Sequence, residues 1–157
     1  IGQSIAHGNN GVLGLTNIFG GDLTFKWRPS IGGKYASAIL ASELLQRKLE
    51  QKGDRTEIGT GWDVWSQYQF AERWMLVARY DYFTAAGGNS DLNSNALTNG
   101  ASHRYTGGLG FTLSEFSGLK ANYSYLESPL RTDGQRIDRK YYLQASFTIG
   151  AHPAHAY

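Results

Sequence analysis

Along Trp74-Met75-Leu76-Val77-Ala78-Arg79-Tyr80-Asp81-Tyr82, apolar and polar positions alternate with a period of two. Trp74, Leu76, Ala78, Tyr80 and Tyr82 fall on one side, and Arg79 and Asp81 on the other. A strand sends successive side chains to opposite faces, so the segment predicts a ribbon with one ring-bearing apolar face and one charged face. The same alternation predicts strands at 18–28, 58–70, 103–114, 119–127 and 138–150. In the first, Leu23, Phe25 and Trp27 oppose Lys26; in the second, Ile58, Trp62, Val64 and Tyr68 oppose Asp63, Trp65 and Gln67. The stretch 34–47 fits either element. Ala38, Leu40 and Leu44 share a strand face, yet 41–50 is also rich in helix formers. Strand neighbours on both sides favour strand there, for about seven strands in all.

The connections read as short, long, short, long. Pro29 to Gly33, Ala71 to Arg73 and Glu115 to Gly118 are tight, whereas 48–57, 86–102 and 128–136 are polar loops. Residues 1–17, rich in Gly and Asn, read as a loop as well. A soluble sheet would bury the apolar faces in a core. A membrane barrel would turn them to lipid and line its lumen with the charges, with short periplasmic turns and long extracellular loops. On that reading 1–17 is the remnant of an extracellular loop, 18–150 holds the transmembrane strands, and 151–157 is a C-terminal tail. Trp74 and Tyr82 then stand roughly 26 Å apart along their strand, or about 20 Å in height after tilting, near the spacing of two aromatic girdles. Trp62 and Phe70 repeat the interval.

Composition sharpens the choice. Aromatics reach 13%, with 10 Tyr, and 20 Gly accompany 3 Pro. Tyr and Trp suit a membrane interface, and glycine suits bent or crowded strands. A mean hydropathy of -0.41 is compatible with strands that give half their residues to a polar lumen. No run of eighteen apolar residues is present, which argues against a transmembrane helix. With no cysteine, a disulfide framework and thiolate metal sites are excluded, and a net charge of +2 gives no argument for nucleic acid. The start at Ile1, without a signal-peptide pattern, suggests a mature or truncated piece.

The barrel reading assigns Glu43, Asp63, Arg79, Asp81, Arg104, Lys120 and Lys140 to the lumen. It assigns Trp27, Trp62, Phe70, Trp74, Tyr82, Tyr105, Tyr125 and Tyr141 to aromatic girdles. His152 and His155 are weak metal candidates: an extended backbone around Pro153 would put both imidazoles on one side, but a stable zinc site wants three or four ligands. Asp91-Leu92-Asn93-Ser94-Asn95 begins like a calcium loop, yet Ala96 and Ser102 replace the glycine and glutamate such a loop requires. His103 with Asp81 or Asp91 could be imagined as an acid–base pair at the rim; no nucleophile motif accompanies them, so no enzyme and no cofactor are expected.

Gln67-Tyr-Gln-Phe-Ala-Glu-Arg-Trp74, Ala78-Arg-Tyr-Asp81, Ser114-Glu-Phe-Ser117 and the ending Ile149-Gly-Ala-His-Pro-Ala-His-Ala-Tyr157 together span about residues 40 to 157. In order and spacing they resemble a family of bacterial outer-membrane proteins described as zinc-regulated TonB-dependent receptors, or as porin-like barrels. The resemblance implies the C-terminal segment of an outer-membrane barrel, with Tyr157 as the terminal aromatic read during barrel assembly. A receptor of that type also needs a plug and a TonB box, and neither is in this sequence.

The expectation is therefore an antiparallel transmembrane β-barrel segment of about seven strands. An odd number points to the C-terminal part of a larger barrel, since single-chain bacterial barrels have even counts. It would form part of a porin or TonB-dependent-type channel in a bacterial outer membrane. Its expected partners are outer-membrane lipid and lipopolysaccharide, a small solute or ion, and other outer-membrane subunits. Two alternatives stay open: a non-conducting scaffold barrel in a larger complex, and a soluble β-sandwich that binds a ligand.

Overall fold

The computed structural model describes residues 1–9, 14–30, 35–51, 55–84, 100–129 and 135–148. They form a single eight-stranded sheet: β1 (Gly2–Asn9), β2 (Leu15–Trp27), β3 (Ser37–Gln51), β4 (Arg55–Gln69), β5 (Trp74–Thr84), β6 (Ala101–Ser114), β7 (Ser117–Glu127) and β8 (Ile137–Phe147). Spatial order follows sequence order, and every neighbouring pair is antiparallel. No pairing joins β8 to β1 among the described residues, so the sheet has two free edges.

Three expectations need correction. Residues 1–17 hold β1 and the start of β2 rather than a loop. Gly2, Ser4, Ala6 and Gly8 gave no apolar alternation, but β1 needs none: its backbone is held by β2 from Gly2↔Asp22 to Asn9↔Leu15. The count is thus eight, and the inference from an odd number falls; the two free edges now bear on whether strands are missing. The charged stretch 48–57 is also mostly strand, because β3 runs to Gln51 and β4 begins at Arg55. Its charges looked like a solvated loop because both faces of the hairpin carry charged residues at that height, Lys48 and Glu50 on one and Glu57 on the other. The turn at Pro29 to Gly33 sits in a longer connection, 28–36, so the short-long rhythm holds only from β4 onward.

The ambiguous stretch 34–47 is strand from Ser37 onward. β3 is paired along its length to β2 and to β4, which satisfies its backbone on both edges. A helix there would leave both neighbours unpaired, and that cost outweighs a propensity worth tenths of a kcal/mol per residue. The turns are built locally. Phe70 N–H donates to Trp74 O at 3.3 Å, and the Ser114 hydroxyl accepts from Phe116 N–H at 3.2 Å.

Strand ends step in one direction across the sheet. β6 runs three residues past β5 at the short-turn end, where Trp74 faces Phe111. At the opposite end β4 runs five residues past β5, where Thr60 faces Thr84. The mean stagger is about one residue per strand, the sense of offset that tilts strands relative to a barrel axis.

Candidate functional site

Directly opposed residues share a face, so the registers sort every strand residue. One face carries Leu23, Phe25, Leu40, Trp62, Leu76, Tyr105, Leu109, Tyr123 and Leu143. The other carries all seven residues assigned to a lumen: Glu43, Asp63, Arg79, Asp81, Arg104, Lys120 and Lys140. Large apolar side chains are left open to the surface, unlike those of a soluble core. Leu76 is 50% exposed and Phe25 59%, whereas the Asp63 side chain is 18% exposed. No large side chain among the described residues is fully buried. The accessible surface is 11750 Å², against about 7,800 Å² for a compact monomer of this mass. Among the described residues the sheet has no second layer against it.

The polar face is organised by a rung of carboxylates. Asp22 faces Glu43, Glu43 faces Asp63, Asp63 faces Asp81, and Asp81 faces Arg104. Like charges directly opposite one another destabilise a sheet by tenths of a kcal/mol to about 1 kcal/mol. Arg79, on the next rung, offsets part of this: Nη2 lies 2.7 Å from Asp81 Oδ1 and 3.5 Å from Asp63 Oδ2, and Nε donates to Asp81 Oδ1 at 2.7 Å. Asp22 was missed in the sequence, although the alternation Asp22, Thr24, Lys26 on the reverse of Leu23 and Phe25 carries it. Lys120 and Lys140 share the face but stand apart from the rung; Lys140 Nζ lies 3.1 Å from Asp138 Oδ2.

On the apolar face, Trp27, Trp62, Trp74, Tyr82, Tyr105, Tyr125 and Tyr141 all point the same way. Phe70 lies just beyond β4, in the turn. They fall into two groups. Trp27 ends β2 and Trp74 begins β5 at the short-turn end, where Trp74 packs on Phe111 with centroids 4.6 Å apart. The other group is a continuous ring path. Trp62–Tyr80, Tyr80–Tyr105 and Tyr105–Tyr125 have centroids 5.6, 5.1 and 6.5 Å apart, and the Arg139 guanidinium lies 5.9 Å from the Tyr125 ring centre. Tyr141 packs on Tyr123, with ring centroids 5.0 Å apart. Within the strands, the Lys, Arg, Asp and Glu residues of this face with described side chains are Lys48, Glu50, Glu127 and Arg139, each within three residues of the long-connection end.

His103 and Asp81 do not meet. His103 faces Tyr82 on the apolar side, with Nδ1 2.9 Å from the Tyr80 hydroxyl, while Asp81 is on the reverse. His152, His155, Tyr157 and the stretch 91–95 lie outside the described residues. Among those described, no three His, Cys, Asp or Glu residues cluster as metal ligands. No family model, curated protein or solved structure matches the chain.

Proposed function

We propose that this chain forms part of the wall of a transmembrane β-barrel in a bacterial outer membrane, a porin or TonB-dependent-type channel for small solutes or metal ions. The exposure of the apolar face carries the reading: Leu23, Phe25, Leu76 and Leu143 are each half exposed or more, on a face whose middle holds no charged residue among the described residues. Water would make that arrangement costly, since each exposed Leu or Phe forgoes roughly 1.5–3 kcal/mol of burial. Hydrocarbon removes the cost.

Three features support it. A stagger of one ~3.3 Å residue per ~4.8 Å of strand spacing corresponds to a tilt of about 35°, close to the range for membrane barrels. From Trp74 to Tyr82 the outward positions of β5 carry no charge, and about 26 Å of strand at that tilt spans roughly 21 Å of height, similar to an apolar band. The outward charges gather at one end, where a band would meet water. The free edges of β1 and β8 could not remain bare in hydrocarbon, so further strands of the same protein or of other subunits would complete the wall.

The polar face would then line the water path, and the rung Asp22–Glu43–Asp63–Asp81 would favour cations over anions. A scaffold barrel is the second reading, favoured by the way Arg79 ties Asp63 and Asp81 into the wall. Alkaline carbonate extraction followed by planar-bilayer recording tests both. The proposal expects retention in the membrane fraction and discrete cation-selective conductance. Retention without conductance selects the scaffold, and release by carbonate rejects the barrel altogether.

A further inference from the structure

A cavity of about 340 Å³ opens on the polar face near the long-connection end, between β5, β6 and the end of β7. Its floor continues the carboxylate rung, with Asp81, Arg104 and Leu126 opposed in register. One step nearer that end, Phe83 faces Ser102, whose hydroxyl is hydrogen-bonded to that of Ser128. The lining thus combines one carboxylate, one guanidinium, two hydroxyls and two apolar side chains. Phe83 is 50% exposed, so its ring is open to a solute.

Both charges keep unused bonding capacity. Arg79, from the next rung, takes Asp81 Oδ1 with Nε and Nη2, each at 2.7 Å. Asp81 Oδ2 is shielded and accepts no hydrogen bond, although the side chain as a whole is 23% exposed and borders the cavity. Shielded carboxylate oxygens normally have a donor, so this one marks a place for a further group. Arg104 faces Asp81 across the strand pair, yet no ion pair or side-chain hydrogen bond to its guanidinium is found among the described residues. The nearby charges are engaged elsewhere: Asp63 shares Arg79, and Asp138, beyond Leu126, is held by Lys140 at 3.1 Å. Directly opposed side chains start about 5 Å apart, so one small solute can reach both Asp81 and Arg104.

We infer that the cavity binds a zwitterionic α-amino acid with an apolar side chain. Its ammonium donates to the Asp81 carboxylate, its carboxylate accepts from Arg104, and its side chain lies on Phe83 and Leu126. A simple cation would leave Arg104 unpartnered, and a simple anion would leave Asp81 Oδ2 so. The volume is near the small end of ligand cavities, which suits a solute of this size. The inference deepens the channel reading and rests on it for the solute's passage, though not for its binding.

The test compares wild type, Arg104→Gln, Asp81→Asn, Phe83→Ala and Thr24→Ala, the last on the same face but outside the cavity. Each is folded into phosphatidylcholine vesicles and checked for carbonate resistance. Binding of L-leucine, L-leucinamide (no carboxylate) and isocaproate (no ammonium) is then measured by saturation-transfer NMR, which needs no conductance. Wild type and Thr24→Ala should bind leucine about ten-fold more tightly than either analogue, as for one charge-assisted hydrogen bond. Arg104→Gln should lose the preference over leucinamide and keep that over isocaproate, and Asp81→Asn should do the reverse. Phe83→Ala should bind all three roughly five-fold more weakly. No preference for leucine in wild type, or preferences unchanged in Arg104→Gln, overturns the site while carbonate resistance leaves the barrel standing. Loss of carbonate resistance by wild type overturns the barrel reading; the same preferences in the released protein would then keep the site and remove only its place in a channel.

Discussion

Glu43 faces a carboxylate on each side, Asp22 on β2 and Asp63 on β4, and no ion pair to it is found among the described residues. Removing its charge should therefore stabilise the sheet. Glu43→Gln is expected to raise the urea unfolding free energy of the folded protein in vesicles by up to about 1 kcal/mol, read by tryptophan fluorescence. Arg79→Met should do the opposite, because Asp63 and Asp81 would lose the guanidinium they share; a loss of about 1 kcal/mol is expected for a partner roughly half exposed. Gly108→Val and Gly107→Val form a matched pair. The first forces Asn122 and the β7 backbone aside and should cost about 1–3 kcal/mol, the second less than about 0.5 kcal/mol.

At the scale of the element, legibility followed the strength of alternation. β4 to β8 were readable to within a few residues because Trp, Leu and Tyr at every second position leave no other period. β1 was not, since its side chains are small on one face and, Ile5 apart, polar on the other, and pairing to β2 holds it as a strand. The β3–β4 hairpin was cut short in the sequence because Lys48, Glu50 and Glu57 resemble a solvated extracellular loop of a barrel. That Glu43, Asp63, Arg79, Asp81, Arg104, Lys120 and Lys140 lie opposite the apolar positions of their own strands was legible because parity alone sets it, whereas the Asp22 rung depends on register, which single strands do not reveal. The free edges carry their own prediction. In detergent, amide exchange should be at least roughly 100-fold faster on the unpaired edge of β8 than in β3 to β6. Equal protection would mean that a partner strand is already present.

For the whole molecule, the decisive fact is that the eight strands of the single sheet leave no large side chain fully buried among the described residues. Hydrocarbon covers the apolar face on the present account, and the charged rung then sets what passes. Asp63→Asn together with Glu43→Gln should lower the cation-to-anion permeability ratio at least about two-fold in reversal-potential measurements, with the larger effect at low salt. A single-cysteine scan along β5, in a chain with no native cysteine, tests the central claim most directly. In vesicles, cysteines at Leu76 and Ala78 should resist a water-soluble maleimide and be quenched, once labelled in denaturant and refolded, by nitroxides on lipid chains. Cysteines at Val77 and Arg79 should react readily and escape that quenching. Reactivity in the opposite phase, or no alternation at all, would contradict an apolar face turned to lipid.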